Sequence, residues 1–115
     1  ELKVVDDQRG TPTSAEHLAG VIVGLLAQGA AGTYHATDGG ECTWYEFACR
    51  ILDRAGIDVG VAPCTTDEFP RPAPRPAWSV LDNVRLARLG CSVMPTWEEG
   101  FDRFFARNAE TLLRA

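Results

Sequence analysis

The stretch Thr43-Trp-Tyr-Glu-Phe-Ala-Cys-Arg-Ile-Leu-Asp-Arg-Ala-Gly56 contains every signal of one helix, from start to stop. Thr43 and Glu46 stand at capping-box spacing, in which each side chain satisfies a backbone N–H that the first helical turn leaves without a partner. Phe47, Ala48, Ile51, Leu52 and Ala55 recur at three- and four-residue intervals, and Gly56 lies where left-handed backbone closes a helix. The same start signal occurs twice more, at Thr13 with Glu16 and at Thr96 with Glu99. Behind the first, Leu18, Val21, Ile22, Leu25 and Leu26 form a stripe that stops at Gly29. Behind the second, Trp97, Phe101, Phe104, Phe105 and Leu112 form another, with Trp97 expected in the core. A shorter helix is predicted from Asp82 through Val84, Leu86 and Leu89 to Gly90.

Between these helices lie short β-prone runs at 2–5, 33–35, 59–64 and 79–81. Alternation of strand and helix predicts an α/β fold, with about four helices partly covering a small sheet. The strands are too few and too short for a complete doubly wound domain. No repeat, low-complexity tract or linker interrupts the chain, so residues 1–115 read as one domain. At that length a chain buries roughly two-thirds of its unfolded surface, enough for a core without staples. The opening Glu1-Leu-Lys-Val-Val has neither an initiator methionine nor a signal pattern, and reads as the start of a piece cut from a longer chain.

With 45% hydrophobic and 23% charged residues the composition is that of a globular protein, and no apolar run approaches the ~18 residues that would span a bilayer. A net charge of −5 argues against a broad nucleic-acid interface, which needs a basic face, but leaves room for a focal anion site. Cys42, Cys49, Cys64 and Cys91 include no Cys-x-x-Cys pair, and only His17 and His35 stand by to help. Zinc is therefore not expected, and four reduced thiols in a cytoplasmic protein are.

Several chemistries are missing. Gly39-Gly40 lacks the third glycine of a dinucleotide loop and no Walker-type loop occurs, so no nucleotide cofactor has a phosphate cradle here. Lys3 is the only lysine; Tyr34 is followed four residues later by Asp38 and Tyr45 by Cys49, so the tyrosine–lysine pair of short-chain reductases is absent. There is no Gly-x-Ser-x-Gly elbow, and no catalytic residue is expected within these residues.

What remains is a binding feature. Arg71-Pro-Ala-Pro-Arg-Pro-Ala-Trp-Ser-Val-Leu-Asp82 carries alternating prolines that hold the backbone in extended geometry, so an arginine on it is ordered at little entropic cost. A guanidinium offers phosphate or carboxylate oxygens a planar fork of donors, and a neighbouring aromatic offers a base or sugar a flat face. Arg71 is read as solvated, and stacking by Trp78 is left open.

Four motifs in order carry a resemblance: Val5-Asp-Asp-Gln-Arg-Gly-Thr-Pro-Thr13, Gly32-Thr-Tyr-His35, Thr43-Trp-Tyr-Glu-Phe-Ala48 and Arg75-Pro-Ala-Trp-Ser-Val-Leu-Asp82. Together they resemble the C-terminal part of the dTDP-4-dehydrorhamnose reductase family of extended short-chain dehydrogenases. The resemblance implies a small C-terminal substrate-binding domain without its Rossmann domain, which in the whole enzyme holds NADPH and the catalytic tyrosine and lysine. It further implies that Arg75 meets the diphosphate of a dTDP-sugar, that Trp44 walls the sugar or nucleotide side, and that Gln8 and Thr13 line the base of the cleft. Thr13 also reads as a helix cap. These residues would bind dTDP-4-dehydro-L-rhamnose without reducing it, and the face left by the absent domain would favour self-association. Two alternatives stay open: a non-catalytic module like the regulatory subunit of methionine adenosyltransferase, and a reductase domain for another dTDP-4-keto-deoxysugar.

Overall fold

Residues 2–90 and 94–114 are described by the structure, a computed structural model. In chain order the elements are β1 (Leu2–Val5), β2 (Arg9–Gly10), α1 (Ala15–Ala27), β3 (Cys42–Thr43), α2 (Trp44–Ala55), β4 (Val61–Cys64), α3 (Val84–Arg88) and α4 (Trp97–Leu112). Four helices and a few short strands make an α/β fold.

α2 and α4 form as their signals predict. The Thr43 hydroxyl accepts from Glu46 N–H at 3.1 Å while Glu46 accepts from Thr43 N–H at 2.7 Å, and Thr96 and Glu99 close the same pair of bonds at 3.3 and 3.2 Å. Gly56 closes α2 at φ 65°, where an L side chain would be strained. The two helices meet through edge-on aromatic contacts of Phe47 with Trp97 and Phe101, centroids 5.8 and 5.5 Å apart. Arg50 and Arg54 of α2 both reach Asp102 of α4. Trp97 is buried as expected, together with Val21, Cys42, Cys64 and Leu86.

At 13–16 the expected capping box does not form. α1 takes Ser14 as its N-cap, without a side-chain bond. The Thr13 hydroxyl instead donates to the Thr11 carbonyl at 3.1 Å and accepts from Asp38 N–H at 3.3 Å, and Glu16 pairs with Arg107 of α4. The start of α1 is held from outside, because Ser14 N–H donates to the buried Asp38 carboxylate at 3.0 Å. The apolar stripe of α1 is also only partly used: Val21 is buried, but Ile22 and Leu26 are 49% and 73% exposed.

The strands form two separate two-stranded sheets. β1 and β4 run parallel, Leu2 opposite Val61 and Val5 opposite Cys64, and β2 and β3 run antiparallel, Arg9 opposite Thr43. Neither 33–35 nor 79–81 becomes a strand. Ser79 N–H bonds the Arg9 carbonyl of β2 at 2.9 Å, whereas at 33–37 Arg85 donates to the Thr33 carbonyl at 2.7 Å, and the Asn83 amide accepts from Thr37 N–H at 3.1 Å and donates to its carbonyl at 2.7 Å. Side chains there take the place of a neighbouring strand. His35 is exposed.

Candidate functional site

The β2–β3 ladder organises one face of the molecule. The Thr43 hydroxyl, besides capping α2, donates to Asp6 at 2.6 Å and ties the start of α2 to the end of β1. On the other side of β2, Arg9 N–H donates to the Ala77 carbonyl at 2.8 Å, and its carbonyl accepts from Ser79 N–H at 2.9 Å and the Ser79 hydroxyl at 3.1 Å. These bonds moor the proline-rich loop along β2 as though it were a third strand. Gly10 makes the approach possible, since a Cβ there would lie 3.0 Å from the Ser79 hydroxyl oxygen.

Between the moored loop, the 8–13 turn and the start of α2 opens a cavity of about 560 Å³, within the usual range for small-molecule sites. Gln8, Thr13, Trp44 and Arg75 all line it. Trp44, the first residue of α2, is 59% exposed, so its ring faces open space and is no part of the core. Gln8 donates through its amide to the Thr66 hydroxyl at 2.9 Å, and Thr66 in turn donates to Asp7 at 2.6 Å, so the side chain is oriented by a relay from the loop after β4. Those Thr66 bonds hold the Asp7 carboxyl below its ordinary range. The Thr13 hydroxyl already holds two local partners, which makes it a buttress of the wall. Arg75 lies exposed among the described residues without an ion pair. Arg71 stacks on Phe69, and Trp78 is exposed away from the cavity.

Sequence reasoning passed over Arg9, Cys42 and Ser79, which also line the cavity. Ser79 belongs to the Arg75-Pro-Ala-Trp-Ser79 motif, and that was its signal. Arg9 likewise stands in the Val5–Thr13 motif, whereas Cys42 carried no signal, because its place depends on a ladder between residues 32 or more positions apart. Burial pushes the Cys42 thiol up to about 11, with the Glu46 and Glu98 charges adding to the rise and Arg9 opposing it. That thiol packs and does not react. Cys42, Cys49 and Cys64 are all free thiols, and Cys91 lies outside the described residues.

The glycine pair at 39–40 does not fit a dinucleotide phosphate. Gly39 N–H donates to the Pro95 carbonyl at 2.7 Å and its carbonyl accepts from Trp97 N–H at 2.9 Å, so its polar groups dock the start of α4. These residues therefore supply an open cavity with an unpaired arginine and an exposed indole, an arrangement for holding an anionic ligand that has a flat or sugar-like part.

Residues 1–110 match the family described as the RmlD substrate binding domain. The chain belongs to this family. As an RmlD substrate binding domain it is 39% identical over 90 residues to the spore coat polysaccharide biosynthesis protein SpsK of Bacillus subtilis, covering 78% of this chain and 31% of that protein. It is also 39% identical over 106 residues to the probable dTDP-4,6-dihydroxy-2-methyloxan-3-one 4-ketoreductase of Streptomyces antibioticus, covering 90% and 36%. Among solved structures, the dTDP-4-dehydrorhamnose reductase of Bacillus anthracis in complex with NADP superposes with a TM-score of 0.89 at 40% identity, over 92% of this chain and 38% of that one. The RmlD domain thus spans about a third of the length of the relatives it matches.

Proposed function

We propose that this RmlD domain is the substrate-binding part of a dTDP-4-dehydrorhamnose reductase, and that the 560 Å³ cavity holds the dTDP-sugar. The observation that carries the reading is the convergence of Gln8, Thr13, Trp44 and Arg75, four residues from three separate motifs, on one cavity. In this reading Arg75 meets the diphosphate, and the indole of Trp44 covers the sugar or base. Gln8 lends a polar group oriented by Thr66, while Thr13 shapes the base of the cleft. The relatives named above, one of them solved with NADP, support reduction of a 4-keto sugar with NADPH by the whole protein. The backbone of Gly39, the candidate for a phosphate loop, is taken up in docking α4, and in this reading the domain alone binds without catalysing. The free thiols suit a cytoplasmic enzyme.

A partner surface accompanies the site. The accessible surface is 7878 Å², against about 6,200 Å² expected for a compact protein of this mass. The excess is about twice what one partner contributes to a standard interface, roughly 800 Å². The exposed face of α1 accounts for part of it. We take it to be covered by the NADPH-binding portion of the parent protein and to drive self-association when the domain stands alone.

The 39% identity to a Streptomyces ketoreductase with a different printed substrate favours one second reading, a related dTDP-4-keto-deoxysugar in the same cavity. The deciding experiment titrates the full-length protein with dTDP, with UDP as control, and repeats it with Arg75→Ala. A charge-assisted contact is worth about 1.5–3 kcal/mol, so affinity should fall roughly ten- to a hundredfold. Unchanged affinity would remove the assignment.

A further inference from the structure

We propose that Arg9 is a positioning residue of this site: its guanidinium neutralises Glu41 and Glu46 beside the cavity while its backbone holds the loop that presents Arg75. The inference rests on the nucleotide-sugar reading above. Arg9 Nε donates to Glu41 at 3.0 Å and Arg9 Nη2 lies 3.5 Å from Glu46. The three side chains are 34%, 38% and 48% exposed, so each charge is felt at the surface where a ligand enters. In sequence Glu41 and Glu46 flank Cys42, Thr43 and Trp44, which line the cavity together with Arg9 and Arg75. Without Arg9, a doubly charged ligand bound to Arg75 would have near it a Glu41 carboxylate with no counter-charge and a Glu46 carboxylate held only by Thr43 N–H.

The two tasks of Arg9 are separable, because the bonds to Ala77 and Ser79 come from its main chain and survive any side-chain replacement. Replacing the side chain therefore tests the charge alone. In the full-length protein, dTDP binding is measured by calorimetry for wild type, Arg75→Ala, Arg9→Met, Arg9→Lys, Glu41→Gln and the double variant Arg9→Met/Glu41→Gln. Arg9→Met should weaken binding by about two- to fivefold for each carboxylate it uncovers, as expected of exposed charge pairs. The loss should shrink as added salt screens the repulsion. Arg9→Lys should keep most of the affinity, and Glu41→Gln should lose none. The double variant should recover the Glu41 share of what Arg9→Met loses and leave the roughly two- to fivefold share of Glu46, a partial recovery that a packing role or a direct ligand contact would not allow.

If Arg75→Ala weakens binding and Arg9→Met does not, the role of Arg9 is overturned while the function stands. If Arg9→Met weakens binding but the double variant fails to recover and the loss ignores salt, Arg9 touches the ligand or merely holds the fold, and the proposal is likewise overturned. If wild type does not bind dTDP, the nucleotide-sugar reading falls and takes this inference with it. Should Arg9→Met alone not fold, the double variant carries the test: a loss no larger than the roughly two- to fivefold share of Glu46 supports neutralisation, and a larger loss refutes it.

Discussion

At Gly100 the absence of a side chain is structural. The glycine sits on α4 against Asp38, whose carboxylate accepts from Ser14 N–H at 3.0 Å and lies 3.1 Å from His17 Nδ1. A Cβ at 100 would overlap that carboxylate and come within 3.5 Å of the His17 ring. Asp38 is 2% exposed and held by two partners, so it has nowhere to move. Gly100→Ala should destabilise the protein by about 1–3 kcal/mol, the usual cost of overpacking, and urea denaturation checks it. A neutral result would mean the Asp38 clasp is loose. Cys42 gives a second expectation. With its thiol buried and titrating at about 11, it should resist aromatic disulfide reagents in mildly alkaline buffer and label only after unfolding. Rapid labelling of the native protein would show that the β2–β3 ladder opens.

The helices differ in what starts them. α2 and α4 carry full capping boxes, so Thr96→Ala should cost about 1 kcal/mol, with Thr96→Ser restoring it in thermal melts. Thr43→Ala should cost more, because the same hydroxyl also holds Asp6. The identical Thr13/Glu16 spacing makes no box, since the Asp38 backbone and Arg107 capture both side chains first. A local signal specifies a helix start only when no stronger long-range partner is nearby. Between α2 and α4, burial pushes the Asp102 carboxyl up, but the hydrogen bonds and charges of Arg54 and Arg50 outweigh it and hold the group below 3.8. The folded state thus binds this proton more weakly than the unfolded one. The clasp contributes fully above 3.8 and is lost as pH falls through the lowered value. Asp102→Asn should therefore flatten that acid-side loss of stability in denaturation measured across this range; an unaltered slope would mean the arginines do not act through Asp102.

Across the whole molecule the radius of gyration is 16.4 Å, where a compact domain of this length has about 13 Å. The half-used stripe of α1 and the excess surface point the same way: part of the packing these residues are patterned for lies outside them. A polypeptide of these residues alone should self-associate with rising concentration in sedimentation velocity, and strictly monomeric behaviour at high concentration would contradict it.

α2, α4 and the stop of α1 were legible because caps, stops and 3.6-residue periodicity act within a turn or two of the chain. So was the membership of Gln8, Thr13, Trp44 and Arg75 in three of four ordered motifs. The β2–β3 ladder, the mooring of Ser79 and Ala77 on Arg9, and the burial of Asp38 were not, because each joins residues 24 or more positions apart. The strands expected at 33–35 and 79–81 were misread for the same reason. β-propensity describes a surface that suits a neighbouring strand, and only packing decides whether a strand, an arginine or an asparagine supplies the hydrogen bonds.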